Sequence, residues 1–328
     1  MMRKRFNVNS RNGQRGVALL IALVVLAIAA TLSTAMIWDR ELDIRRFANI
    51  KQGDQSLEFA LGAESWAEQI LRRDYKSNPN ITNLNQDWAM QLPSLPVEGG
   101  SITGHLEDLQ GLFNVNNLAS SNPAQANAAL AQFQRLLVAL NLDPEIAYAV
   151  QDWVNSGAQP HYPGGAKDEF YSQLAPPYLT AEQPMTSISE LLLVKGITPQ
   201  IYAALLPNVC ALPMLAPGSQ PDTPMIPTSI NINTAPAPVI ASLNAGITAS
   251  AAEAAVQTRT QQPYQSQNDL TRLLNIGPAA GVPTTLTSSY FRLTAEVKIG
   301  STEITLYSLL FRTSSGATIA IRRTYGTL

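Results

Sequence analysis

The chain is 328 residues long, enough for one large domain or two ordinary ones, and only 14% of its residues are charged, against about 25% in an ordinary soluble protein. A formal net charge of −2 excludes a nucleic-acid or other polyanion partner unless the basic residues are segregated. A single cysteine, Cys210, excludes an intrachain disulfide.

The basic residues are segregated only at the start. Arg3, Lys4, Arg5, Arg11 and Arg15 precede Gly16 with no acid among them, and without residues 1–16 the chain has 17 basic and 24 acidic residues, a net of −7. Residues 17–37 then carry no charge. A helix of that length rises roughly 30 Å, the thickness of a bilayer's hydrocarbon core, and the preceding cations predict a cytoplasmic N-terminus with the bulk of the chain outside. Three readings compete for this segment. A cleaved secretory signal would use Ser33-Thr34-Ala35, but its apolar core would be too long. An uncleaved signal anchor is the second reading. A prepilin-type leader cut after Gly16, leaving Val17 as the new N-terminus and retaining the apolar helix, is the third.

The sequence that follows favours the third reading. Residues 38–76 lack proline, and Leu42, Phe47, Ile50, Leu57, Leu61, Trp66 and Ile70 recur at roughly helical spacing. The helix is therefore expected to run to about Tyr75, with Gly53 and Gly62 as weak points. Residues 78–100 read as a loop, and 100–118 as alternating residues, a glycine turn and a short strand. Residues 119–285 read as helices, with Asp143, Thr198 and Thr234 as N-caps before proline-containing first turns. Residues 289–299, 302–313 and 317–325 are β-branched and aromatic runs separated by Gly300-Ser301 and Ser315-Gly316, so they predict an antiparallel meander.

A long apolar N-terminal helix on a globular head is the plan of type IV pilins and pseudopilins. Pilin-like proteins usually carry Glu as the fifth residue after cleavage; here that residue is Ile21. The motifs "QRGVALLIALVVL", "DLQGLFNVNNL" (108–118), "DWVNS" (152–156), "ISELLLVKGIT" (188–198), "VCALP" (209–213) and "SININTAPAPVIASL" (229–243) occur in an order that resembles the type II secretion minor pseudopilin K family. The resemblance covers the whole chain and implies an α+β, pilin-like fold. Residues 1–16 would be the leader and 17–37 the transmembrane half of the helix. Residues 38–118 would be the periplasmic helix half with the first strands, 119–285 an inserted all-α domain of helix-hairpin-helix-like units, and 286–328 the last strands. It further implies cleavage after Gly16 by prepilin peptidase and N-methylation of Val17. The head would be periplasmic, the anchor in the inner membrane of a Gram-negative cell, and the place at the pseudopilus tip with the I and J minor pseudopilins, above type H and the major pseudopilin. A subunit with Ile21 has no carboxylate to meet a neighbour's N-terminal amine, as suits a subunit with nothing above it.

No nucleophile elbow, phosphate loop or paired-carboxylate motif appears, and His105 and His161 have no Cys or Glu at zinc spacing, so the chain does not read as an enzyme. The resemblance implies calcium in the loop after "DW". Asp152, Asp168 and Glu190 are the candidate ligands, although Asn155, Gly157 and Lys167 stand where acids would help. The alternative is an uncleaved single-pass receptor or DNA-binding protein with a helix-hairpin-helix head. Its turn "NAGITAS" (244–250) has Thr248 where a second glycine belongs, and only Arg259 and Arg272 lie between 231 and 273, too few cations for phosphate. Asn114, Asn116, Asn231 and Asn233, in "NVN" and "NIN", read as Asx turns at strand ends and helix caps.

Overall fold

The computed structural model describes residues 14–157, 159–220, 223–277 and 282–326. The leader's Arg3, Lys4, Arg5 and Arg11 lie outside them. Helix α1 (Gln14–Ser77) contains no proline and is a single element. Two units divide the chain, one ending at Gln55 and one beginning at Ser56. In the first, the large apolar residues between Val17 and Ile37 are all more than half exposed, as are Trp38, Ile44, Phe47 and Ile50. Among the described residues this is the one helix long and apolar enough to cross a membrane.

In the second unit α1 is followed by β1 (Leu92–Val97) and β2 (Gly100–Asp108), and then by a helical module. The module runs through β3 (Phe113–Asn114), α2 (Pro123–Ala139), α3 (Ile146–Val154), α4 (Asp168–Tyr171), α5 (Pro199–Leu205) and β4 (Val209–Cys210). It continues through β5 (Ile230–Asn231), α6 (Ala237–Ser242), α7 (Ala249–Gln261), α8 (Gln267–Leu274) and β6 (Thr284–Thr285). Strands β7 (Tyr290–Ile299), β8 (Thr302–Arg312) and β9 (Thr318–Tyr325) complete an antiparallel sheet ordered β1-β2-β7-β8-β9. The module is thus inserted between β2 and β7, which are neighbours in the sheet. Strand β1 falls in a stretch read from the sequence as loop. Pro93 and Pro96 obscured it, and they are tolerated because β1 is an edge strand with only one ladder to serve.

The helix face that meets the sheet follows the bulky stripe of the sequence only at its margin, where Leu61 and Ile70 are half-buried. Trp66 is exposed; the buried positions are Ser56, Ala60, Glu64, Ala67, Leu71 and Asp74, at spacings of three and four. Small side chains let the helix lie close to Phe291, Leu293, Ala295, Val297, Leu306 and Leu310. The two buried acids are answered from the sheet. Glu64 accepts from Ser308 Oγ (2.5 Å) and from Arg323 at 2.7–3.1 Å. Asp74 faces Arg312 at 3.5 Å.

The module is built twice. Its two-residue strands pair in parallel, β3 with β4 and β5 with β6. In the first half Asn114 Oδ1 accepts the Asn116 amide (3.1 Å), and the Asn116 side chain then clamps Met185 at both N–H (2.7 Å) and C=O (2.9 Å). In the second, Asn231 Oδ1 accepts the Asn233 amide (3.0 Å), and Asn233 clamps Tyr264 at N–H (2.8 Å) and C=O (3.0 Å). Two residues after each clamped residue comes a capping box, Ser187 with Glu190 and Ser266 with Asp269. The expected Asx turns are present at Asn114 and Asn231, whereas Asn116 and Asn233 form the cross-chain clamps instead. Thr198 caps α5 as expected, whereas Thr234 caps nothing. Its hydroxyl instead donates to the buried Asp108 (2.6 Å), which also accepts from Ser288 (2.5 Å), Asn231 (3.1 Å) and the Gln110 amide (2.8 Å). Burial pushes the Asp108 carboxyl up, and these donors oppose it.

Candidate functional site

Gly16, Val17 and Ile21 all lie within α1 and are exposed. Glycine in a helix interior costs about 1 kcal/mol relative to alanine. At Gly16 no described atom lies within 4 Å of where a Cβ would stand. Packing therefore gives no reason for glycine there.

The three calcium candidates are held apart, each by its own donors. Asp152 is fully buried at the end of α3; its Oδ2 accepts the His161 amide (3.0 Å) and its Oδ1 meets His161 Nδ1 (2.5 Å). Gly165 is needed for this close approach, since a Cβ there would sit 2.1 Å from Asp152 Oδ2 and 2.3 Å from the His161 carbonyl oxygen. Asp168 accepts the Thr180 amide (2.8 Å) and hydroxyl (2.5 Å), which hold its carboxyl below the usual range. Glu190 accepts the Thr186 (2.7 Å) and Ser187 (3.1 Å) amides as the acid of its capping box. The pattern Ser-x-x-Glu was in the sequence to be read this way. Among the described residues no three His, Cys, Asp or Glu side chains gather where they could hold a metal. The residues present do not fit a calcium ion.

The residue that does occupy the loop is a cation. Lys167, 7% exposed, donates from Nζ to the carbonyl oxygens of Asp152 (2.8 Å) and Asn155 (2.5 Å), with Glu182 Oε1 at 3.6 Å. Nearby, Trp153 packs edge-on against Tyr171 and Tyr178. Burial pushes the Tyr171 phenol up to about 12, and its oxygen accepts the Lys195 amide (3.1 Å). Lys195 Nζ donates to the Gly165 carbonyl (3.2 Å) and lies over the Phe170 ring.

Of the two cations of the second helical hairpin, one is used internally and one is at the surface. Arg259 is buried and donates to the Ile232 carbonyl (2.7 Å), and burial lowers its guanidinium to about 10. Arg272 is exposed beside Asp269 at 4.0 Å. On the face where α1 meets β1 and β2, an apolar groove of about 270 Å³ is lined by Phe59, Trp66, Ile70, Met90 and Leu95 among others.

Comparison with known proteins matches residues 111–214 and 230–289 to two models, both described as Type II secretion system (T2SS), protein K. These spans coincide with the two halves of the helical module. Type II secretion system protein K of Aeromonas hydrophila is 30% identical over 333 residues, covering 95% of this chain and 97% of that relative. The Pseudomonas aeruginosa protein of the same name is 32% identical, covering 96% and 94%. That of Pectobacterium carotovorum subsp. carotovorum is 34% identical, covering 96% and 98%. Among solved structures, a chain of the GspK-GspI-GspJ complex from the enterotoxigenic Escherichia coli Type 2 Secretion System superposes with a TM-score of 0.74 at 24% identity, covering 86% of this chain and all of that one.

Proposed function

The chain belongs to the type II secretion system protein K family and is a minor pseudopilin of that system, and from this premise we propose that it stands at the pseudopilus tip, anchored in the inner membrane by one pass of α1 with its head in the periplasm. The observation that carries the reading is α1 itself. One proline-free helix bears an exposed uncharged segment of 21 residues and, from Ser56, a face of small and acidic residues committed to the sheet. An apolar surface of that length is costly in water and favourable in lipid.

Among the described residues nothing packs at Gly16, which supports a role outside the fold: recognition by prepilin peptidase, cleavage after Gly16 and N-methylation of Val17. Ile21 supports the tip position, because without a carboxylate there the helix offers nothing to the N-terminal amine of a subunit above. The I and J minor pseudopilins are the proposed lateral partners, in keeping with the complex to which the solved structure belongs. Type H and the major pseudopilin would follow below. Trp38, Ile44, Phe47 and Ile50, each at least 63% exposed, are the side chains to meet them. The role is assembly rather than catalysis.

A photo-crosslinking residue placed at Phe47 or Ile50 in cells expressing the whole secretion system tests this. Adducts with the I and J minor pseudopilins are expected. Their absence, together with salt-dependent DNA binding by the purified chain, would favour the receptor or DNA-binding alternative.

A further inference from the structure

Residues 155–184 are what the first half of the helical module has and the second lacks. After α3 the chain takes about thirty residues to reach the clamped Met185; after α7 it takes about three to reach the clamped Tyr264. Connections this long without much secondary structure of their own need a dedicated source of cohesion. This one is rich in glycine and proline, and among its described residues the only helix is the single turn α4.

Its interior is organised around one charge. An ammonium has three N–H donors, and Lys167 Nζ faces three oxygens: the carbonyls of Asp152 and Asn155 and the carboxylate of Glu182. The carbonyls close the end of α3, and Glu182 begins the return to Met185. Glu182 takes a left-handed backbone conformation (φ +50°) unusual for a residue with a Cβ, while its amide donates to the Trp153 carbonyl (3.0 Å). Its carboxylate lies 3.6 Å from the ammonium. A buried lysine is tolerated only where oxygens replace its water. A surface pocket of about 410 Å³, lined by Gly157, Lys167, Asp168 and Glu182 among others, leads to the pair.

We propose that the Lys167 ammonium is the built-in cation of this loop, standing in an oxygen cage where a metal ion would otherwise be required, so that the loop folds without a divalent ion. Carbonyls and a carboxylate are the hard oxygen donors that calcium takes, but calcium wants six to eight of them. The cage supplies fewer, in number suited to an ammonium. Removing the side chain would leave two carbonyls, the Glu182 carboxylate and room for water. That set would be weak, in the roughly millimolar range of poorly charged calcium sites.

Hydrogen exchange by mass spectrometry on the full chain in detergent tests the proposal, reading peptides within 159–184 against a control peptide from α7. In the wild type, loop exchange is expected to be the same with a chelator and with millimolar calcium chloride. Lys167→Met, which keeps the stem and removes the charge, is expected to speed loop exchange about tenfold to a hundredfold with no change in α7. Lys167→Ala is expected to be as fast in chelator and to slow again in millimolar calcium. Glu182→Gln, the milder variant should Lys167→Met not fold, is expected to loosen the loop severalfold. A wild-type loop that tightens with calcium would overturn the proposal. So would a loosening variant set in which neither Lys167→Met nor Glu182→Gln departs from wild type, or a Lys167→Ala loop indifferent to calcium.

Discussion

The two halves of the helical module solve one folding problem with the same device and differ in what they add to it. Each starts from a two-residue parallel strand, sends an Asn-x-Asn pair inward, clamps one residue of the returning chain at both backbone groups, and restarts with a capping box. A buried asparagine that satisfies an N–H and a C=O together replaces a stretch of sheet, which short connections between helices cannot provide. The second half adds an attachment to the sheet, because Asn231 also donates to Asp108, Thr82 and Ser288. The first adds the Lys167 loop. The repeated part is therefore framework, and the unrepeated parts are where one half acquires a task the other does not have.

Removing the clamps is the strongest way to break this equivalence. Asn116→Ala leaves the Met185 N–H and C=O unmet in a buried site and removes the shorter of two donors to the Leu212 carbonyl, and is expected to cost about 3–4 kcal/mol. Asn233→Ala likewise orphans two backbone groups but loses one hydrogen bond fewer, and is expected to cost about 2–3 kcal/mol. Thermal unfolding of the two variants side by side checks the order; a near-neutral result for either would show that its clamp is not framework. Next comes Gly165→Ala, which has no counterpart in the second half. Its Cβ would force the loop off Asp152 at a cost of about 2 kcal/mol. Tryptic cleavage after Lys167 should accelerate while Arg259 stays protected.

The capping boxes give a smaller and matched pair. Glu190→Gln and Asp269→Asn are each expected to cost about 1 kcal/mol and to be equally insensitive to chelator. A chelator effect confined to Glu190 would return it to the role of metal ligand. The smallest effect is that of pH on Asp168. Its folded carboxyl lies below its ordinary value, so the Thr180 tether is complete above the unfolded pKa and is lost only as pH falls through the lowered one. The Thr180 amide resonance should therefore hold steady down to the ordinary carboxylate range and move only below it.

Elements with a strong period were legible in the sequence: α1, the helices around Phe133 and Val150, and the C-terminal meander all follow from spacing and turn residues. The packing face of α1 was not. Hydrophobicity marks bulk, whereas a close helix-to-sheet approach selects small residues and acids whose partners, Ser308, Arg323 and Arg312, come from strands more than 200 residues away in the chain. Strand β1 was hidden by its prolines, and Thr234 was read as a cap because its true partner, Asp108, lies 126 residues earlier. The same limit governs the loop. Lys167 was visible as a charge that weakens a calcium site, but the carbonyls it satisfies are backbone atoms, which no residue type announces.

The account rests on the chain being a processed pseudopilin, and the N-terminus of the protein purified from membranes tests that most directly. Intact mass measured with and without prepilin peptidase should show a peptidase-dependent species beginning at Val17, carrying one methyl group and retaining the apolar half of α1. A chain beginning at Met1 under both conditions, or one cut after Ala35, would contradict it.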